Sequence, residues 1–212
     1  MQHLAQNSPT IRYLCQRDRH LAKVIRMVGP LDYQLATNGY ADLVIEIVGQ
    51  MLSNKVAAIL IKRLEALCQP EITPTTITAL TDDQIRSIGL SHAKVGYIRN
   101  LTASVNAGTI SFDHHVAMSD QAIIQELTQV KGIGNWSAKM YLIFSLDRPD
   151  VLPYEDLAFL QAYGWVYKTD DYSARAVQKK CRKWRPYCSI AARYLYRALD
   201  NGLTNEPFHL FK

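Results

Sequence analysis

The sequence predicts an all-α protein, and three observations carry that expectation. Apolar residues recur at intervals of three and four along most of the chain, the spacing of one helical face. Alternating polar and apolar runs, the mark of a half-buried strand, are almost absent. Serine, threonine and aspartate precede the apolar patterns, and glycine or proline follows them, as helix starts and stops require. The 212 residues, 48% of them hydrophobic, suffice for one two-lobed domain or two small ones, with no need of a metal or disulfide.

The elements follow in order. The first forty residues match no pattern. Leu43 and Ile47 begin the first apolar face. Ser53 is placed to cap a helix whose stripe is Val56, Ala57, Leu60, Leu64 and Leu67, and Pro70 and Pro74 end that segment. Thr81 and Gln84 have capping-box spacing ahead of Ile85 and Ile88, and Gly89 stops this short helix. Residues 92–105 form a further helix closed by Gly108. Residues 109–119 are polar and turn-prone, the best linker candidate. Ser119 caps a helix reaching Gln129, residues 132–134 form a tight turn, and residues 136–145 form the next helix. Pro149 and Pro153 bracket a loop. Residues 156–167 are helical, and the last two helices, 173–183 and 189–201, are joined by Trp184-Arg185-Pro186.

The net charge of +5 is a mild basic bias, compatible with an anionic partner. It is uneven: residues 175–197 hold eight lysines and arginines and no acid, which reads either as a solvated helical face or as a surface turned to phosphates. Of the four cysteines, only Cys181 and Cys188 are close, and their spacing fits no common zinc pattern. All four are expected to be free thiols of a reducing compartment. His114 and His115 are expected to face solvent rather than bind metal, so no metal site is predicted. The start of the chain lacks the basic and apolar segments of a signal peptide, and no apolar run could span a membrane. A soluble cytoplasmic protein is therefore expected.

The residues with most to say about function lie between 127 and 157. In Val130-Lys131-Gly132-Ile133-Gly134-Asn135-Trp136 one helix ends, a turn follows and another helix begins. Glycine there permits a positive φ and a close approach to the backbone. The opening turn of the second helix presents N–H groups and the positive end of a helix dipole, a site for an anion such as a DNA phosphate. A plain helix–helix corner remains the alternative. Some twenty residues on, Asp156 follows Pro153 and precedes an apolar helical pattern, so it is either a helix cap, a catalytic carboxylate, or both.

The pattern around Gly132 and Gly134, followed by Ser137-Ala138, resembles the helix-hairpin-helix motif of DNA repair proteins. Further segments resemble one branch of that superfamily, the 3-methyladenine-DNA glycosylase II type. They are Gly49-Gln50-Met51-Leu52-Ser53 with Ala57-Ala58, Ile88-Gly89-Leu90-Ser91 with Lys94, Pro153-Tyr154-Glu155-Asp156-Leu157, and Trp184-Arg185-Pro186-Tyr187 with Ser189 and Ala191. The order is that of the family, and the match runs from about residue 42 to 198. Lys131 departs from it, standing where a proline often precedes the first hairpin glycine. The chain is also too short for the N-terminal β domain of some relatives.

The resemblance implies two helical lobes in a single domain, with an active-site cleft between them. The inner lobe would span about residues 42–145, and the outer lobe residues 1–41 plus 146–212. It implies an enzyme acting on double-stranded DNA that carries a damaged base, hydrolysing the glycosidic bond of alkylated purines. Asp156 would be the catalytic carboxylate, with Glu155 as the fallback. Lys131, Gly132, Gly134 and Ser137 would hold a DNA phosphate. Met51 would wedge into the space left by the extruded base. Trp136, Met140 and Tyr196 would line the base pocket, Met140 standing where relatives can carry tyrosine. Trp136 stands where strand-cutting members of the superfamily carry a Schiff-base lysine, so a monofunctional enzyme is expected. An iron–sulfur cluster lacks its four cysteines, and no cofactor is expected beyond a monovalent cation that hairpin carbonyls hold in some relatives. A monomer is expected. The alternatives are a glycosylase for hypoxanthine or for a mismatched or oxidised base, and a non-catalytic DNA-binding module. A helical scaffold unrelated to DNA is a further one.

Overall fold

Side-chain caps set most of the element boundaries in the computed structural model, which describes residues 1–35 and 38–211. The chain forms two units, one of Met1–Leu35 with Asp147–Lys212 and one of Ala36–Leu146. The fold is all-α apart from one small sheet.

The N-terminal residues, which carry no readable pattern, are ordered by pairing and packing. Strand β1 (Gln2–Leu4) pairs antiparallel with β2 (Leu31–Tyr33), Gln2 opposite Tyr33. Between them lie α1 (Pro9–Arg17) and α2 (Arg19–Val28). Ser8 caps α1 by accepting the N–H of Ile11, with Pro9 in the first turn. Strands of three residues are too short for pattern alone to reveal.

In the second unit, α3 spans Gly39–Gly49 and α4 Asn54–Leu67. Ser53 caps α4, as its position predicts. Of the expected stripe, Leu60 and Leu64 are buried, whereas Val56 and Leu67 are exposed. Pro74 does not end a segment but begins one: α5 (Pro74–Ala79) has it in the first turn, behind a capping box of Thr73 and Thr76. Helix α6 (Asp82–Ser87) has the predicted box of Thr81 and Gln84. Helix α7 (His92–Asn106) is capped by Ser91. The predicted linker instead lies inside this unit and contains the short α8 (Phe112–His115). His115 corrects a second expectation, being buried rather than exposed. Its Nδ1 lies 3.0 Å from the Tyr141 hydroxyl and its Nε2 3.0 Å from Glu126 Oε1. These partners lie 26 and 11 residues away, so the dipeptide alone gives no hint of them. Helix α9 (Asp120–Leu127), capped by Ser119, leads through the hairpin into α10 (Asn135–Phe144).

The chain then returns to the first unit with α11 (Leu157–Tyr167), α12 (Ala174–Cys181), a 3-10 turn (Arg182–Trp184) and α13 (Cys188–Asp200). Its core includes Ile11, Leu14, Leu21, Ile25, Phe159, Tyr163, Trp184 and Leu195. Asp18 is the buried polar centre. It caps α2 through the N–H groups of His20 and Leu21, and accepts from the Trp184 indole at 2.9 Å, from Lys183 at 3.0 Å and from the Tyr167 hydroxyl. Burial alone would raise its pKa, but the hydrogen bonds from Tyr167, Trp184 and Lys183 outweigh that and hold it below the ordinary value.

The basic stretch 175–197 thus serves the protein's own acids in part. Lys183 serves Asp18, Arg185 lies 3.4 Å from Asp150, and the buried Arg193 lies 3.3 Å from Asp147. Arg175, Lys179, Lys180 and Arg182 are exposed. Among the described residues no helix is long and apolar enough to cross a membrane, and no group of three potential ligands is placed to hold a metal ion. The four cysteines are free thiols, and burial pushes the pKa of Cys181 and Cys188 far up, which leaves them unreactive.

Candidate active site

The hairpin divides its work between two glycines. Ile133 and Val130 are buried and anchor the turn. Gly132 has φ +109, and a Cβ there would sit 2.2 Å from Tyr97 Cγ, so both backbone and space demand glycine. Gly134 is different. It is extended, with φ −101 and ψ 178, and a Cβ there would meet nothing within 4 Å. No internal constraint explains it, whereas the close approach of a partner would. Gly134 is also the N-cap of α10, and no side chain caps that helix. An anion approaching it meets the donors of the first turn. Lys131 is exposed beside this turn.

Ser137 is not on that surface. It is 2% exposed, and its hydroxyl accepts from Gln50 Nε2 at 3.2 Å. It therefore reaches an anion, if at all, only through its backbone N–H. Gln50 also donates to the Gly132 carbonyl at 3.0 Å, and Asn100 donates to that of Lys131 at 3.1 Å.

The motif around Gln50 builds a second feature. Lys94 donates to the carbonyls of Val48 and Gln50, each at 2.7 Å, and closes the C-terminus of α3. Burial lowers the Lys94 pKa. Next to that closure Met51 is held at φ +59 and is 99% exposed. A left-handed methionine with its whole side chain in solvent has no packing role. Met51 therefore takes no part in the core. Lys94, Gln50 and Asn100 are positioning residues; the sequence names the first two in its motifs without giving them a role, and does not name Asn100. Their signal is only that each lies in or near a family-like motif.

Trp136 is half-buried on the first turn of α10, and Met140 is buried one turn later. Met140 lines a cavity of about 210 Å³ in the second unit, together with Asp42, Leu43, Glu46, Tyr141 and Phe144. Tyr141 is fixed by His115, which is in turn held by Glu126.

Asp156, in the first unit, is 8% exposed. It caps α11, its Oδ1 accepting the N–H of Phe159 at 2.7 Å. The cap holds the side chain in one rotamer. The loop before it is tied to α13 by the segment resembling the family's Trp-x-Pro-x-x-Ser: Ser189 Oγ accepts from Val151 N at 2.9 Å, and Ser189 N donates to Pro149 O at 2.9 Å. Ser189 is accordingly buried and is not the cap of α13, which begins one residue earlier, at Cys188. Tyr196 is half-buried on α13, its ring edge-on to Phe159 at 6.4 Å.

Several known proteins are similar to this chain in sequence and fold. The profile described as "HhH-GPD superfamily base excision DNA repair protein" matches residues 44–186. The chain is 27% identical over 192 residues to DNA-3-methyladenine glycosylase 1 of Schizosaccharomyces pombe, covering 87% of this chain and 84% of that one. Its fold is similar to the crystal structure of a DNA-3-methyladenine glycosidase from Bacillus halodurans, with a TM-score of 0.85, 29% identity, and 99% and 97% of the two chains covered. It is also similar in fold to an S. pombe 3-methyladenine DNA glycosylase solved in complex with abasic DNA, with a TM-score of 0.84, 24% identity, and 91% and 97% covered. The matched span contains the two-glycine hairpin, the Gln50 motif and the capped Asp156, and the chain belongs to the helix-hairpin-helix (HhH-GPD) superfamily of base excision DNA repair proteins.

Proposed function

We propose that this protein is a monofunctional DNA glycosylase that removes alkylated purines, 3-methyladenine and 7-methylguanine, from duplex DNA and leaves an abasic site. The observation that carries the proposal is Asp156, a buried carboxylate locked in one rotamer at the family-like Pro153-x-x-Asp156-Leu157 position. Cleaving an N-glycosidic bond leaves positive charge on the sugar, and a fixed carboxylate beside that sugar stabilises it. A methylated purine is cationic and already a good leaving group, so one carboxylate with a positioned water suffices.

The other residues serve this step. The α10 N-terminus, Gly134 and Lys131 hold a backbone phosphate. Met51 fills the gap left by the extruded nucleotide, and Trp136, Met140 and Tyr196 receive the base. Trp136 has no amine, so it cannot form the Schiff base through which a glycosylase also cuts the strand. The enzyme acts as a monomer and needs no cofactor for this chemistry.

Randomly methylated duplex DNA tests the reading. Incubation with the protein is expected to release 3-methyladenine and 7-methylguanine, and the strands should remain intact until alkali is added. Methylated bases that stay in the polymer would overturn the activity. Nicks before alkali, or a borohydride-trapped covalent adduct, would overturn the monofunctional assignment.

A further inference from the structure

We infer that a cavity at the C-terminal end of α11 is a nucleotide subsite, which stacks a base on aromatic side chains and pairs the attached phosphate with lysines. It is independent of the base-release reaction proposed above.

The cavity lies wholly within the first unit and holds about 400 Å³, room for one nucleotide. Rings make up much of its wall: Tyr167 at the end of α11, His20 in the first turn of α2, and Phe208 and Phe211 from the segment after α13. The His20 and Phe208 rings are stacked, 22° from parallel with centroids 6.1 Å apart, so flat groups already pack face to face here. Phe211 is 89% exposed and has no place in the core.

Cations surround these rings. Lys168 lines the cavity, and Lys180 and Lys183 stand 5.0 and 5.4 Å from the Tyr167 ring centroid. Arg19 stands 5.9 Å from that of Phe211. No aspartate or glutamate is among the described lining residues. Asp18, which Tyr167 and Lys183 contact, is buried among its own donors. Burial lowers the pKa of His20, and Arg19, Lys183 and Lys180 add to this against the pull of Asp18, so His20 presents a neutral ring at pH 7. Cations interleaved with aromatic rings are the means by which single nucleic-acid strands are held, the cations meeting phosphates and the rings meeting bases.

Lys168 adds a separate observation. It ends α11 at φ +51, a left-handed position that glycine fills at least cost. A cation at a helix C-terminus is favoured by less than the left-handed backbone costs. A phosphate-binding role accounts for lysine there. The subsite is also distinct from the candidate catalytic group: Asp156 begins α11 and Lys168 ends it, about 18 Å along one helix. A nucleotide held here is not the one whose base is removed.

Equilibrium dialysis tests the subsite, with dAMP as the probe and adenosine and inorganic phosphate as its two halves. The wild type is expected to bind dAMP saturably with Kd below about 1 mM, and each half at least about tenfold more weakly. Lys168→Gly is expected to weaken dAMP binding about tenfold while melting no lower than the wild type. Phe211→Ala, at an exposed position, is expected to weaken it about fivefold. Asp156→Asn is expected to bind dAMP as the wild type does. The oligonucleotide (dA)8 distinguishes the source: a strand ligand binds at least about tenfold more tightly than dAMP and loses affinity in the same variants, whereas a free-nucleotide ligand shows no such gain. Four results would overturn the subsite: no saturable dAMP binding, inorganic phosphate binding as tightly as dAMP, affinities unchanged in both Lys168→Gly and Phe211→Ala, or an affinity changed by Asp156→Asn, which would place the nucleotide at the catalytic group.

Discussion

Replacing Asp156 by asparagine is expected to reduce single-turnover release of 7-methylguanine by about 10²–10⁴-fold, while the affinity for the same duplex stays within a factor of about two. The asymmetry follows from the geometry. Asp156 does two jobs, accepting the Phe159 N–H at 2.7 Å and presenting a negative charge. Asparagine is as good a helix cap as aspartate, so α11 keeps its start and the loop from Pro149 keeps its place. What asparagine lacks is the charge that meets a positive sugar. A folded Asp156→Asn protein that still released base at the parental rate would show that the carboxylate is a cap and nothing more. A parallel loss of DNA affinity would point to a misplaced loop instead. Glu155 does not share this position, since Asp156 is the residue that caps α11.

Replacing Gly134 by valine is expected to weaken binding about tenfold or more, equally for damaged and undamaged duplexes, with stability reduced by no more than the about 1 kcal/mol that a poorer N-cap costs. The backbone at Gly134 is extended and suits a β-branched residue, and the added side chain meets nothing inside the protein. Beyond the poorer N-cap, any cost must therefore appear against a partner. A phosphate bound at the α10 N-terminus would meet the valine methyls. Because phosphate contacts carry no sequence information, the loss should not depend on the lesion. Filter binding or fluorescence anisotropy, with melts alongside, decides the matter. Unaltered affinity would mean that the turn is a corner between helices and not a grip. A lesion-specific loss would place Gly134 near the base rather than the strand.

These expectations show what the sequence makes legible. Local signals were readable because they act over a few residues. Ser53, Ser119 and the Thr81–Gln84 box cap the helices they were expected to cap. Pro74 was misread because a proline suits a first helical turn as well as it ends a helix. The first forty residues were opaque because β1, β2 and the short helices between them depend on contacts with α11 and α13, more than a hundred residues away. At the hairpin, sequence indicated that glycines matter but not that they differ. Only the structure shows Gly132 satisfying the protein's own backbone and Gly134 facing open space. Ser137 looked like a phosphate ligand by position, yet its hydroxyl turns inward to Gln50. His115 looked exposed because Tyr141 and Glu126 are distant in sequence.

The central claim is that the Asp156 carboxylate stabilises positive charge on the deoxyribose. The most direct measurement is equilibrium binding of duplexes with two abasic analogues, one with a cationic pyrrolidine ring in place of the sugar and one with a neutral tetrahydrofuran ring. The wild type is predicted to bind the pyrrolidine duplex at least tenfold more tightly than the tetrahydrofuran duplex, and Asp156→Asn to lose that preference while binding tetrahydrofuran as before. Equal affinities for the two analogues in the wild type, or a preference that survives in Asp156→Asn, would contradict it.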